Sequence, residues 1–409
     1  MIRSYLFLQG VSSPFFSELG RRLITEGHRV AKVNFTGGDA FYWKMKGATN
    51  FRKNAIDLPA FYDALFEKLH HCTDIILFGD CRPIHSAIVA GAKLRGKRIH
   101  VYEEGYFRPF WITLERDGVN GASRLPRDPD WYRHVGKSVP SYQNGTSFTS
   151  SFSNRAWHDV QYHIWSALNP VLYPGYQTHS LYSAPSEYFA YIRKATTYLH
   201  RSKLAQKQIG SLVETKTPFF LLPLQLDSDA QIRDYSRYSN MSEVIAEVMQ
   251  SFASNVTGDS RLVIKSHPLD PGMICYRHLI KKLASMFGVK DRIVFLEGGH
   301  LPTLLNHASG VVTVNSTVGA SALIHKVPTV VLGTAIYDIN GLTFQGALSE
   351  FWKNLSPPDM RLFRYFRNTV IHTTQVNGGF YSKAGISLAV DNSLNSLTCE
   401  QSLLEGLLS

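Results

Sequence analysis

Cysteine is scarce in this sequence, and Cys72, Cys81, Cys275 and Cys399 stand far apart. With no CxxC pair, neither a zinc site nor a disulfide framework is expected, and free thiols fit a reducing compartment. No apolar run approaches the roughly 18 residues that a membrane-spanning helix needs. The opening run of MIRSYLFLQG breaks at Gln9-Gly10, too early for the apolar core of a secretion signal. The chain is therefore expected in the cytoplasm, with any membrane contact peripheral. Also missing are a GxSxG elbow, an HExxH pair, a dinucleotide fingerprint and any nucleic-acid module signature. GAKLRGKR (91–98) only imitates a phosphate loop: it closes a helix, and Arg98 stands where Ser or Thr is required.

What is present is a basic chain of ordinary globular composition. It has 409 residues, with 43 Lys and Arg against 32 Asp and Glu, a formal charge of +11. That balance favours anionic partners without choosing among nucleotides, acidic substrates and lipid surfaces. The length favours two domains.

The first third alternates apolar runs with amphipathic segments. SYLFLQG, RVAKVNF, DIILFGD and RIHVYEEG read as strands. Helices fall between them, the first capped by Ser13 and closed by Gly27, with TGGD as a loop. Repeated βαβ units predict a parallel sheet whose ligands gather beyond the carboxyl ends of the strands. Those ends carry Gln9-Gly10, Gly37-Gly38-Asp39, Asp80 with Arg82, and Glu103-Glu104-Gly105. Residues 140–215 break the pattern with aromatic and basic residues at helical spacing, among them Trp157, Tyr162, Trp165, Arg193 and Arg201. They read either as helices packed between domains or as a surface for an anionic lipid interface. A second alternating block follows from 218, then a tail rich in helix from about 350. The reading is α/β and GT-B-like: Rossmann-like domains at 1–139 and 216–349, a helical insert at 140–215 and a helical tail at 350–409.

In the second block the strand ends again carry the chemistry. VIKSHP places Lys265 and His267 at alternate positions, so both side chains can reach one anion; a surface lysine beside a turn histidine is the plainer alternative. VNSTVG sets Asn315, Ser316 and Thr317 where a helix begins, a ready phosphate site or simply a good cap. FLEGG offers Glu297 for a ribose or base. LQLDSDAQI brings Gln225, Asp227 and Asp229 to a strand end; DSD reads either as a polar loop or as a functional carboxylate.

Taken in order, GGD, FGDCRP, EEGYFRP, LPRDPDWY, QLDSDAQI, VIKSHPLD, VNSTVGASALIH and YDINGLTFQG resemble the KpsS/LipB capsular polysaccharide family. The resemblance runs from about residue 5 to about 380 and is loosest over 140–215. It implies a cytoplasmic, membrane-peripheral, retaining β-Kdo transferase. Such an enzyme takes Kdo from CMP-Kdo to a lysophosphatidylglycerol acceptor and starts the poly-Kdo linker of an exported capsule. A KpsC-type transferase and an ABC exporter are the implied partners; no metal, other cofactor or nucleic acid is implied. Lys265 and His267 match the CMP-binding K-x-H-P element, and Ser316 and Thr317 the phosphate-binding turn. Gln225 and Asp229 match a Q-x-x-x-D element, which makes Asp229 rather than Asp227 the expected nucleophile. Glu104 stands where related Kdo transferases carry aspartate before glycine, and is expected as acid/base facing Asp229 from the other domain. Arg108 is expected to pair with the Kdo carboxylate or the lipid phosphate. Three competing readings stay open: a linker-extending Kdo transferase, a non-catalytic adaptor of the export complex, and a CMP-dependent transferase of the sialic acid type.

Overall fold

A computed structural model describes residues 2–177, 184–227 and 229–409. The chain forms two compact units, one of Met1–Leu125, Ser138–His179 and Arg367–Ser409, the other of Pro126–Lys137 and Ser180–Phe366. The helical stretch 140–215 is thus divided between them, and the tail from Arg367 belongs to the first.

The first unit is built on β1 (Ser4–Phe7), β2 (Arg29–Asn34), β3 (Ala48–Asn50), β4 (Asp74–Phe78), β5 (Arg98–Glu104) and β6 (Trp111–Arg116). The second contains β7 (Phe219–Pro223), β8 (Arg261–Lys265), β9 (Ile293–Leu296), β10 (Gly310–Thr313) and β11 (Thr329–Val331). A last strand, β12 (Gln375–Asn377), returns to the first unit. The sheet orders are β12-β6-β5-β4-β1-β2-β3 and β11-β10-β7-β8-β9. The parallel core of each sheet is therefore the same Rossmann half, winding one way from its first strand and then the other. The winding reverses between β1 and β4 in one unit and between β7 and β10 in the other. Such switch points leave a crevice at the carboxyl edge of the sheet.

Side-chain alternation along each strand explains why both faces are covered. Tyr5 and Phe7 of β1 pack with Phe15, Leu19 and Ala389, whereas Leu6 and Leu8 pack with Leu58, Tyr62 and Ile88. In the second unit Phe220 and Leu222 face Val244, Val248 and Ile280, while Phe219 and Leu221 face Ile209, Leu212 and Leu304.

The structure departs from the sequence reading in four places. The first sheet is mixed: β6 runs antiparallel to β5, and β12 antiparallel to β6. Pro14, not Ser13, takes the N-cap position of helix Phe15–Thr25, and Ser13 Oγ accepts from the Phe15 amide instead. The expected TGGD loop is the start of a short helix, Gly37–Tyr42, capped by Thr36. The tail includes a strand, because β12 closes the edge that β6 would otherwise leave open.

Candidate functional site

At the switch point of the first unit, Arg82 and Gln9 meet. Arg82 Nη1 donates to Gln9 Oε1 at 2.9 Å and to the Gly10 carbonyl at 3.2 Å. Gln9 Nε2 in turn donates to Tyr162 Oη at 3.1 Å and to Asp39 Oδ2 at 3.3 Å. Tyr162 Oη reaches Asp39 Oδ1 at 3.2 Å and Thr36 Oγ1 at 2.8 Å. Beside this network lies a cavity of about 20 Å³ lined by Ser13, Lys32, Asp39, Tyr42, Trp43 and Tyr162, among others. Lys32 is buried and donates to the carbonyls of Leu8 and Val33 at 2.7 and 2.9 Å. Burial lowers its ammonium to about 8, against the opposing pull of Asp39. Asp80, expected in the same group, turns away: its carboxylate accepts from the Val119 amide at 3.4 Å, and burial pushes its pKa up.

The glutamate pair sits where β5 turns into β6. A Cβ on Gly105 would stand 2.0 Å from the Trp111 carbonyl oxygen, so the glycine is required by the close approach of the hairpin's second strand. Alternation separates the two carboxylates. Glu103 accepts from the Glu104 amide at 2.9 Å. Glu104, 25% exposed, accepts from Arg155 Nη1 at 3.2 Å. The Arg155 guanidinium lies 5.0 Å from the centre of the Tyr381 ring. Burial, and next the Glu104 charge, push the Tyr381 phenol up. Arg108 is exposed beyond the turn, its Nε donating to the Gly105 carbonyl at 3.3 Å, before a cis peptide to Pro109.

In the second unit the switch point is bridged by amides. Gln225 and Asn315 exchange two hydrogen bonds, at 2.8 and 3.2 Å, and Asn315 Nδ2 donates to the Gln231 carbonyl at 2.7 Å. This holds the short helix Ala230–Asp234, whose N-cap is Asp229, accepting from the Gln231 amide at 3.0 Å. The two aspartates do different work. Asp227 accepts from the Met241 amide at 2.8 Å and from Tyr276 Oη, which ties the loop to two helices.

Lys265 ends β8, one strand from β7, and is 6% exposed. Its Nζ reaches the Ser266 carbonyl at 3.5 Å, and among the described residues no carboxylate lies within ion-pair distance of it. Burial first, then the charge of Lys194, lowers its pKa. Ser266 Oγ is also buried, without a hydrogen-bond partner among the described residues. His267 Nδ1 accepts from the Leu269 amide at 3.1 Å, which fixes the Nε2–H tautomer of the neutral ring. Helix Ala184–Thr196 is pinned over this loop: Tyr191 donates to Leu269 O at 2.8 Å, and Lys194 to Asp270 O at 2.5 Å. Ser316 caps helix Thr317–Ile324, leaving Thr317 in its first turn. A Cβ on Gly319 would meet Tyr337 Oη at 2.2 Å, so the glycine lets that ring brace the helix start. Glu297, at the end of β9, is ion-paired to Arg277 at 2.6 Å rather than grouped with these residues. Strand spacing near 4.8 Å sets the ends of β10, β7 and β8 within roughly 10 Å of one another.

Among the described residues no cluster of His, Cys, Asp and Glu is arranged to hold a metal ion. None of their helices is long and apolar enough to cross a membrane. Sequence reading passed over Lys32, Arg155, Tyr162 and Lys194 as site residues. Lys32 was hidden in the alternation of a strand, and the other three lie in 140–215, far in sequence from what they touch.

The family model for capsule polysaccharide biosynthesis proteins matches residues 73–381. The capsule polysaccharide export protein KpsS of Escherichia coli is 38% identical over 384 residues, 93% of this chain and 97% of that one. The capsule polysaccharide modification protein LipB of Neisseria meningitidis serogroup B is 34% identical over 389 residues, 92% and 91% of the two chains. Among solved structures, the β-Kdo 2,7 transferase KpsC of Thermosulfurimonas dismutans aligns with a TM-score of 0.44 at 14% identity, covering 96% of this chain and 99% of that chain.

Proposed function

The chain belongs to the KpsS/LipB family of capsule polysaccharide biosynthesis proteins, and from that premise we propose that it is a retaining β-Kdo glycosyltransferase. It takes Kdo from CMP-Kdo to a lysophosphatidylglycerol acceptor at the inner face of the cytoplasmic membrane, and so starts the poly-Kdo linker. A KpsC-type transferase and an ABC exporter act after it.

The observation that carries this reading is Lys265, a buried ammonium with no carboxylate partner among the described residues. A buried charge is costly unless a counter-charge meets it. A single phosphate supplies that charge, with His267 and the first turn of helix Thr317–Ile324 as further donors. One phosphate held this way needs no divalent ion to neutralise it. Asp229 is the nucleophile: its carboxylate attacks the anomeric carbon, and CMP departs with the electron pair of the cleaved C–O bond. Glu104 then takes the proton of the acceptor hydroxyl, which displaces the Asp229 carboxylate and restores it. Two displacements at one carbon retain configuration.

The test is mass spectrometry of the product formed from CMP-Kdo and lysophosphatidylglycerol, with a Kdo-primed lipid in parallel. One Kdo added to the bare lipid supports the reading; addition to the primed lipid alone replaces it with the linker-extending activity. Asp229→Ala should abolish transfer while CMP still raises the thermal midpoint, and Lys265→Ala should remove the CMP shift.

A further inference from the structure

The helical stretch Phe152–Ser166, carried on through Ala167 and Leu168 into Asn169–Leu172, is amphipathic the wrong way round for a packed helix. Its polar side chains hold it to the first unit. Arg155 pairs with Glu104, His158 Nδ1 lies 2.9 Å from Tyr42 Oη, Tyr162 joins the Gln9–Asp39 network, and Asn169 Oδ1 accepts from the Gly37 amide at 2.8 Å. Its apolar side chains point outward. Trp157, Ile164 and Val171 are 63%, 58% and 81% exposed and, with Leu168, recur at the spacing of one helix face. An ordinary surface helix buries that face. An apolar stripe left outside by a helix so firmly anchored marks a contact surface.

The rim of the stripe is basic. Lys44 Nζ lies 4.1 Å from the centre of the Phe41 ring, and Phe41 stacks on Trp165 with centroids 5.1 Å apart. Tyr173 Oη donates to Asn50 Oδ1 at 2.9 Å, which ties the other end of the stretch to the segment carrying exposed Arg52 and Lys53. Lys44, Lys46, Arg52 and Lys53 are exposed, and none is ion-paired among the described residues. Asp159 bears on Tyr42, His158 and Tyr381, on the anchored side. Exposed Ile56 adds a further apolar side chain beside the cations.

We propose that this face, the stripe of Trp157, Ile164, Leu168 and Val171 with its rim of Lys44, Lys46, Arg52 and Lys53, docks the protein on an anionic phospholipid surface. Apolar side chains enter the acyl boundary while the cations meet headgroup phosphates. Charge argues against a second copy of the chain as occupant, because a two-fold contact would bring two cationic rims together. The inference rests on the lipid-acceptor part of the proposed function, which needs a docking face, but not on the assignment of the nucleotide site.

Co-sedimentation with vesicles tests it, using phosphatidylcholine alone and phosphatidylcholine mixed with phosphatidylglycerol. The intact protein should pellet with the mixed vesicles, and salt should release it. Two triple variants, Ile164→Ser/Leu168→Ser/Val171→Ser and Lys46→Glu/Arg52→Glu/Lys53→Glu, should each weaken binding by about tenfold or more. All six positions are exposed, and an unchanged thermal midpoint with an unchanged CMP shift shows that fold and nucleotide site are intact. Wild-type binding retained in both variants would overturn the proposal. So would failure of the intact protein to bind mixed vesicles, loss of binding only when the exposed Phe189 and Ile192 of helix Ala184–Thr196 are changed (Phe189→Ser/Ile192→Ser), or a dimer that dissociates in the stripe variant. Because CMP binding is read in the same samples, failure here stays separate from failure of the transferase assignment.

Discussion

Gln225 and Asn315 clasp each other across the switch point of the second unit, Gln225 Nε2 donating to Asn315 Oδ1 and the Asn315 amide donating back to Gln225 Oε1. The remaining Asn315 donor holds the Gln231 carbonyl, two residues beyond Asp229. Gln225 thus positions the proposed nucleophile through one intermediary. Gln225→Ala strands the half-buried Asn315 amide N–H and side-chain oxygen, a cost of about 1 kcal/mol. The expected kinetic result is a fall in kcat with little change in KM for CMP-Kdo. Gln225→Glu should recover part of it, since a carboxylate still accepts from the Asn315 amide. Equal losses in kcat for both variants, or a change confined to KM, would sink the positioning role.

Glu104 separates from Glu103 by the alternation of β5, and its carboxylate accepts from Arg155. As acid/base toward the acceptor hydroxyl it should contribute roughly 10²–10⁴ in rate. Glu104→Gln keeps the shape and a hydrogen-bond acceptor for Arg155 but cannot take a proton. Initial rates of Kdo transfer, followed by mass spectrometry, should drop by about that factor while the CMP-induced midpoint shift persists. Near-native rates would remove Glu104 from the chemistry. Glu103→Gln, at the carboxylate not assigned to the acceptor hydroxyl, should cost far less.

Much of the strand framework was legible because buried parallel strands are short β-rich runs bounded by turn residues, and their carboxyl ends were readable as a set. The antiparallel additions were not. WITLER of β6 ends in the charged pair Glu115-Arg116, and β12 is only QVN; both are strands because a distant edge pairs with them, which no local pattern records. The glycines of TGGD predict a loop. The structure explains them otherwise, since Gly37 and Gly38 let helix Phe152–Ser166 approach. Within the candidate sites, the sequence lists Gln9 and Arg82 among the strand ends of the first block, and Gln225 and Asn315 at separate strand ends of the second; that each two meet is known only from the structure. Nor could the sequence pair Glu104 with Arg155, 51 positions away, or turn Asp80 toward Val119.

Glu115 gives the first unit a pH signature. It is buried, accepts hydrogen bonds from Tyr106 Oη at 2.6 Å and from Ser123, and burial raises it from 4.5 to about 7. The native state therefore holds this proton after the unfolded chain has released it. Its stabilising effect is full below the unfolded value and is lost as pH rises through about 7, amounting to about 3 kcal/mol over that window. Glu115→Gln cannot titrate. Denaturant unfolding of both proteins from pH 4 to pH 8, values of about these magnitudes bracketing the two pKa values, should show wild type losing ground to the variant as pH rises. Parallel curves would mean that Glu115 is not protonated in the native state.

Gly37 and Gly91 should respond to alanine with opposite signs. A Cβ at Gly37 would lie 2.2 Å from the Trp165 carbonyl oxygen, a backbone atom that cannot move unless helix Phe152–Ser166 moves with it. Overpacking of this kind costs about 1–3 kcal/mol, and it also strains the Gly37–Asn169 hydrogen bond. A Cβ at Gly91, inside helix Pro83–Leu94, meets only the guanidinium end of Arg95 at 3.3 Å. Removing a helix-interior glycine there should stabilise by about 0.5–1 kcal/mol. Thermal midpoints should fall for Gly37→Ala and rise for Gly91→Ala. A neutral Gly37→Ala would mean that the helix sits farther from the sheet than described, which would also remove the anchored, outward-facing stripe on which lipid docking depends.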